Sequence, residues 1–351
     1  MLNVNAALDT AKLTSKFRGC LIGALLGDCL GVPFEGESSV SKIVLQNFFN
    51  KLSGPYFKSP YHQYSDDTAM TKGLAQSLIE NNGFDEKHMA KTFVNNYFKE
   101  PKRGYGHNVV DVFCKLKSQK YKDVWRPAQE QFDGTGSYGN GGAMRIAPVA
   151  LFCYNNYNDM ISLAKKSTNL THTHSQGVNG AILQCIAIYL SLLMDPLKPL
   201  DAEKFTKELM DKIKVIEKES EESDSVEALP YVKQLGKMDC LLKKEELFEG
   251  EVEETLGNSI AALYSVPTAI FCFLRAQKPI SSIETDCPFR RTIQFAISLG
   301  GDTDTIASMA GAIAGAFYGI EVVNANLLKH CERAEEMKAL ADQLLSPNVS
   351  S

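Results

Sequence analysis

The chain has 351 residues, of which 44% are apolar and 23% charged, with a formal charge of -5. This is ordinary globular usage with enough apolar residues for a substantial core, and it offers no overall basic field, so direct binding of duplex DNA is not expected. The nine cysteines (20, 29, 114, 153, 185, 240, 272, 287 and 331) are odd in number, scattered and never spaced Cys-x-x-Cys, a pattern that argues against a disulfide framework or zinc knuckle and for a reducing compartment.

Residues 1–18 hold two lysines, one arginine and a single acid, without a basic start leading into an apolar core. The expectation is a flexible extension over 1–15 and no secretory signal; a mitochondrial presequence stays open. From 16 to 346 the apolar spacing is helical, and alternating β-branched runs closed by Asn-Gly or Asp-Gly are nearly absent, so the expected class is all-α. The longest apolar run, "CLIGALLGDCLGVPF", is short and carries Asp28, and no membrane span is expected. Gly19, Gly23, Gly27 and Gly31 recur every fourth residue of the first helix, as do Ala307, Gly311, Gly315 and Gly319 near the end. Glycine costs about 1 kcal/mol against alanine inside a helix, so each stripe predicts close backbone approach. Either the two stripes pack together, joining the chain ends in a single domain, or each meets another neighbour.

Glu35 follows the helix stop at Gly31 and Pro33, where an isolated acid reads as a solvated loop residue. "YSDDTAM", 64–70, sets Asp66 and Asp67 at the start of a helix continued by Met70, Leu74, Leu78 and Ile79. Such acids alone read as caps or partners of the helix dipole. The same layout returns in "GGDTDTIA", 300–307, with Asp302, Asp304 and Thr305. Taken together, the five acids and the hydroxyls of Ser65, Thr68, Thr303 and Thr305 supply oxygen donors for one or two Mg²⁺-like ions. Zinc matches poorly without clustered His or Cys.

Between these motifs lies "FDGTGSYGNGGAMRIAP", 132–148, five glycines running into an apolar helix. It formally contains G-x-G-x-x-G, but no buried strand precedes it and no Gly-Lys-Ser/Thr follows, so neither a dinucleotide fold nor a P-loop is indicated. The surviving readings are a nest of N–H groups for phosphate oxygens and an ordinary surface turn. In "THTHSQG", 171–177, His172 and His174 at i and i+2 suit ligand hydrogen bonding or stacking, or helix capping by Ser175, better than metal binding. The charge-rich run 214–229 reads as a solvated helix and loop.

The order of "GDCLGVPFE", "SDDT", "GSYGNGGAMR", "THTHSQG" and "GGDTDTIASMAGAIAGA" resembles the ADP-ribosylhydrolase family of the dinitrogenase-reductase-activating glycohydrolase type. With "FRGCLIGALLGD" and "SVPTAIFCFLR", the resemblance spans nearly the whole chain. It implies one compact, orthogonal multi-helix domain with two Mg²⁺ ions held by Glu35, Ser65, Asp66, Asp67, Asp302, Asp304 and Thr305. Ser65 departs from the threonine usual there but keeps the hydroxyl. It further implies that Thr135, Gly136, Ser137, Tyr138, Gly139, Asn140 and Gly141 hold a diphosphate, and that Phe132 and Tyr138 line the adenosine side. His172 and Ile260 would touch the ligand, Asp66 would meet the distal ribose, and Glu35 would be the catalytic acid/base. "GSYGNGGAMR" and "RGYG", 103–106, resemble the type-three branch, which implies action on serine-linked ADP-ribose, poly(ADP-ribose) and O-acetyl-ADP-ribose. The same branch implies a monomer of the nucleus and cytoplasm, with the mitochondrial matrix open, serving DNA repair. Rival readings are an arginine-linked hydrolase, a non-catalytic ADP-ribose reader, and a phosphatase whose D-x-D-x-T would instead follow a buried strand near the N-terminus.

Overall fold

The computed structural model describes residues 10–55, 61–220, 229–247 and 249–349. Seven helices build the centre of the fold and its site: α1 (Thr10–Gly31), α2 (Asp66–Asn81), α3 (Ser175–Leu193), α4 (Ala262–Arg275), α5 (Pro288–Ser298), α6 (Thr303–Tyr318) and α7 (Ala334–Val349). Among the described residues no strand forms, only isolated bridges such as Gly139 with Ala261. The all-α expectation holds. α1 opens at Thr10, inside the stretch read as an extension; residues 1–9 lie outside the described residues, as do 221–228 of the charge-rich run, whose start ends the helix Ala202–Ser220.

The two small-residue stripes pack against each other, antiparallel. A Cβ on Gly19 would stand 2.5 Å from the Gly315 carbonyl oxygen, one on Gly23 would overlap the Gly311 carbonyl, and one on Gly27 the Ala307 carbonyl. At the far end, a Cβ on Gly31 would lie 2.5 Å from the Asp304 Cα. Backbone therefore meets backbone along the seam, and the pair forms the centre of the molecule. Helices α3, α4 and α5 pack on α6, while α7 packs on α1. Leu21, Ile22, Leu25, Leu26, Ile306 and Ile313 are fully buried around the pair, each contributing about 1.5–3 kcal/mol from burial. Arg18 clamps Asp342 of α7 through two bonds of 2.7 and 2.8 Å. Core residues from Leu13 to Leu345 belong to one cluster, so both chain ends close the same core.

The segments Thr10–Phe34 and Ser175–Leu193 are apolar and long enough to cross a membrane by composition. Here 78% and 83% of their apolar windows lie buried inside the protein, which makes them core helices of this fold.

Candidate metal and ligand site

The seam delivers one acidic motif to the site and the chain leaving α1 delivers another. After Gly31 the chain makes one 3₁₀ turn, Val32–Phe34, and Glu35 follows in extended conformation. Gly36 donates its N–H to the Gly301 carbonyl at 2.9 Å, and Gly301 donates back to Glu37 at 2.8 Å. A Cβ on Gly300 would strike the Glu37 and Ser38 carbonyls, and its φ of +71° is open to glycine without strain. Both glycines of "GGDTDT" therefore serve to lay Glu35 beside Asp302.

One oxygen from each of Glu35, Asp302 and Asp304 fits within a mutual 4.8 Å. The "SDDT" motif joins them through Thr305, whose hydroxyl donates to Asp67 Oδ1 at 3.2 Å. Helix capping explains these carboxylates only in part, since Asp304 Oδ1 accepts from the Thr305 N–H at 2.9 Å in the first turn of α6. Ser65 caps α2, accepting from the Asp67 N–H at 3.2 Å, and Asp302 stands at the N-cap of α6 without making a cap bond. Asp302 instead accepts from Asn140 Nδ2 at 2.5 Å, which ties the glycine loop to the acidic cluster.

Two of the proposed hydroxyl donors are committed elsewhere. Thr303 donates to the Gly31 carbonyl at 3.0 Å and Thr68 to Asp28 at 2.5 Å, so Ser65 and Thr305 remain. Asp28 is the functional residue that the motifs did not reveal. Fully buried in α1, it accepts from the Ser65 N–H at 2.9 Å and from both the N–H and hydroxyl of Thr68, holding the N-terminus of α2 in place. The available signal was a lone carboxylate inside an apolar helix, which demands buried donors.

Desolvation, and after it the charge of neighbouring carboxylates, pushes the pKa of Asp66 up to about 8 and raises those of Asp67, Asp304 and Glu35. Asp67 Oδ2 is buried without any hydrogen-bond partner among the described residues. A crowd of acids with an orphaned oxygen fits a site for hard cations, which would relieve the repulsion and use that oxygen. Asp66 is half-buried, and the "RGYG" loop crosses it: a Cβ on Gly104 would sit 3.6 Å from Asp66 Oδ1. Arg103 anchors that loop by pairing with Glu332 at 2.6 and 3.0 Å and covering the Tyr64 ring at 3.9 Å.

The glycine loop borders the acids on the Asn140 side. Its N–H groups are not all free: Thr135 donates to Phe132, Gly136 to Gln131, Gly139 to the Ser137 hydroxyl and Asn140 to Ile260. The expected run of consecutive free donors reduces to Ser137 with Tyr138 and Gly141 with Gly142, whose N–H groups make no backbone bond among the described residues. The Phe132 and Tyr138 rings are exposed with centroids 6.1 Å apart, and Ile260 is 68% exposed on the segment paired with the loop. These are apolar surfaces left uncovered beside a polar loop. His174, not Ser175, caps α3, accepting from the Gln176 N–H at 3.1 Å. His172 is buried beneath the loop, where a Cβ on Gly141 would stand 2.9 Å from its Nε2. Arg145, fully buried, donates to the Gly141 carbonyl and the Thr171 hydroxyl, each at 2.7 Å, and so braces both the loop and the histidine segment.

A family model described as ADP-ribosylglycohydrolase matches residues 9–350. The chain belongs to that family. Among the relatives of this ADP-ribosylglycohydrolase family member, ADP-ribosylhydrolase ARH3 of Mus musculus is 44% identical, with 96% of this chain and 92% of the relative covered. The protein of the same name from Homo sapiens is 43% identical, with 95% and 94% covered. A solved structure described as an ADP-ribosylglycohydrolase-related protein complex superposes with a TM-score of 0.68 at 21% identity, covering 96% of this chain and 99% of that one. That last likeness shows the shared all-helical fold of the family.

Proposed function

We propose that the protein is a Mg²⁺-dependent ADP-ribosylhydrolase that cleaves the O-glycosidic bond at the anomeric carbon of the distal ribose. The observation that carries this reading is the convergence of Glu35, Asp302 and Asp304 within 4.8 Å, with "SDDT" alongside and the glycine loop bonded to Asp302. Glu35, Ser65, Asp66, Asp67, Asp302, Asp304 and Thr305 would hold two ions, which when bound offset the clustered negative charge and orient ribose hydroxyls.

The free N–H pairs of the glycine loop receive the diphosphate, and the exposed Phe132 and Tyr138 rings receive the adenine. Ile260 closes the same side. Asp66, under the "RGYG" loop, faces the distal ribose and opposes the positive charge that develops as the C1–O bond breaks. Glu35 is the most exposed of the five acids, so it exchanges protons most readily with the water that attacks and the oxygen that leaves. The 44% identity to a protein named ADP-ribosylhydrolase ARH3 supports the same reaction class. Serine-linked ADP-ribose, poly(ADP-ribose) and O-acetyl-ADP-ribose are the proposed substrates, acted on by a monomer. The free state of all nine cysteines supports a reducing compartment, the nucleus and cytoplasm.

The test is release of ADP-ribose from serine-linked and arginine-linked ADP-ribosyl peptides, with Mg²⁺ and with chelator. Serine-linked cleavage that needs Mg²⁺ and is lost in Glu35→Gln is expected. Cleavage of the arginine linkage alone would overturn the substrate class, and full turnover by Glu35→Gln would overturn the acid/base role.

A further inference from the structure

We infer that Thr171 is a positioning residue: it fixes His172 as the Nε2–H tautomer, so that the ring presents a permanent hydrogen-bond donor to the ligand held at the glycine loop. The ligand half of this inference rests on the proposed function; the tautomer does not.

The inference follows from proton accounting at one buried hydroxyl. Thr171 Oγ1 is buried and has two neighbours, Arg145 Nη2 at 2.7 Å and His172 Nδ1 at 2.7 Å. A guanidinium only donates, so Arg145 occupies an oxygen lone pair and leaves the hydroxyl proton to be placed. If that proton points at Nδ1, every group is satisfied and the ring hydrogen must sit on Nε2. If Nδ1 carried the hydrogen instead, it would donate into the same oxygen, and the hydroxyl proton would have no acceptor among the described residues. Leaving a buried donor unpaired disfavours that arrangement by about tenfold or more. Arg145 is itself fixed, since it is fully buried and also bonds the Gly141 carbonyl at 2.7 Å and the Ser167 carbonyl at 3.2 Å.

Nε2 is the nitrogen that faces the loop. It stands 3.4 Å from where a Cβ on Gly139 would be and 2.9 Å from the corresponding point at Gly141, and it has no protein partner among the described residues. The absence of side chains at 139 and 141 is what lets the ring reach the loop. Burial and the charge of Arg145 also push the imidazole pKa down to about 3, so the ring is neutral and its two nitrogens stay distinct. A neutral Nε2–H suits an acceptor oxygen of the bound ligand without adding charge beneath the loop.

The test is a long-range ¹H–¹⁵N spectrum of the histidine rings of the full-length ¹⁵N-labelled protein, with His172 assigned by its loss in His172→Gln. The wild type and Thr171→Ser are expected to show a single Nε2–H tautomer at His172 from pH 5 to 8. Thr171→Val, which keeps the shape and removes the hydroxyl, is expected to show tautomer exchange and about tenfold weaker binding of ADP-ribose by calorimetry. An Nδ1–H tautomer in the wild type, or a Thr171→Val spectrum identical to it, would overturn the inference. If the tautomer is as expected but the wild type binds no ADP-ribose, the proposed function falls and takes the ligand half with it, while the tautomer assignment stands.

Discussion

Replacing Gly19 by alanine tests whether the central seam is a true backbone contact. Intrinsic helix propensity alone favours the change by about 1 kcal/mol. The seam predicts the opposite sign. The added Cβ would meet the Gly315 carbonyl oxygen at 2.5 Å and the Gly319 carbonyl carbon at 2.6 Å, against an ordinary contact that begins at 3.4 Å. The helices would have to separate by nearly 1 Å, and the atoms in the way are backbone, which cannot rotate aside. Overpacking of this kind costs about 1–3 kcal/mol, and with three backbone atoms inside 3.0 Å of the new Cβ the upper half of that range applies, so a net loss of roughly 1–2 kcal/mol remains after the propensity gain. Gly236, in the helix Pro230–Leu242, is the internal control, because a Cβ there meets nothing within 4 Å among the described residues. Gly236→Ala should gain about 0.5–1 kcal/mol. Urea midpoints at unchanged slope read both. If Gly19→Ala raised the midpoint as Gly236→Ala does, the close contact between α1 and α6 would be refuted. Gly31→Ala, at the Asp304 end of the same seam, should both lower the midpoint and weaken Mg²⁺ binding, whereas Gly19→Ala should leave Mg²⁺ binding nearly intact.

Other perturbations address the site directly. Asp302→Asn and Asp304→Asn should each weaken Mg²⁺ binding at least tenfold by calorimetry; unchanged affinity would remove them from the ligand set. Asp28→Asn preserves size but turns an amide NH₂ toward a donor of Ser65 or Thr68, costing about 2–3 kcal/mol in urea unfolding and weakening Mg²⁺ binding; wild-type stability would show that the buried bonds are dispensable. Because His172 is held below its unfolded pKa of about 6.5, its contribution to stability is fully present above that pH and is lost as pH falls from 6.5 toward 3. Between pH 7 and 5 the stability difference between wild type and His172→Gln should therefore shrink by about 2 kcal/mol; a constant difference would contradict the buried, neutral ring.

Much of this was legible in the chain because its signals are periodic or repeated. Glycine at every fourth position of two distant helices announced a close contact, and "SDDT" and "GGDTDT" announced matching acidic helix starts. Residues whose role depends on a partner far away carried no such signal. Asp28 resembled an interruption of an apolar run until Ser65 and Thr68, some forty positions later, proved to be its donors. Thr68 and Thr303 looked as suitable for metal as Ser65 and Thr305, and only the fold shows their hydroxyls turned to Asp28 and Gly31. The glycine loop likewise promised more free N–H groups than remain, because the Ile260 carbonyl, 120 residues away, accepts one of them. Arg145 closes "GSYGNGGAMR", yet nothing local distinguishes it from a surface arginine.

The pairing of α1 with α6 also sets an order on biosynthesis. Glu35 leaves the ribosome early, but the helix that presents Asp304, and the loop that fastens Glu35 through Gly36 and Gly301, come some 265 residues later. Until then Leu21, Ile22, Leu25 and Leu26 have lost their principal cover, on a helix apolar enough to pass for a membrane segment. The segment that carries α6 and α7 therefore acts as the closing fastener of this core, and a nascent chain halted before it would combine an exposed sticky helix with half of the acidic cluster.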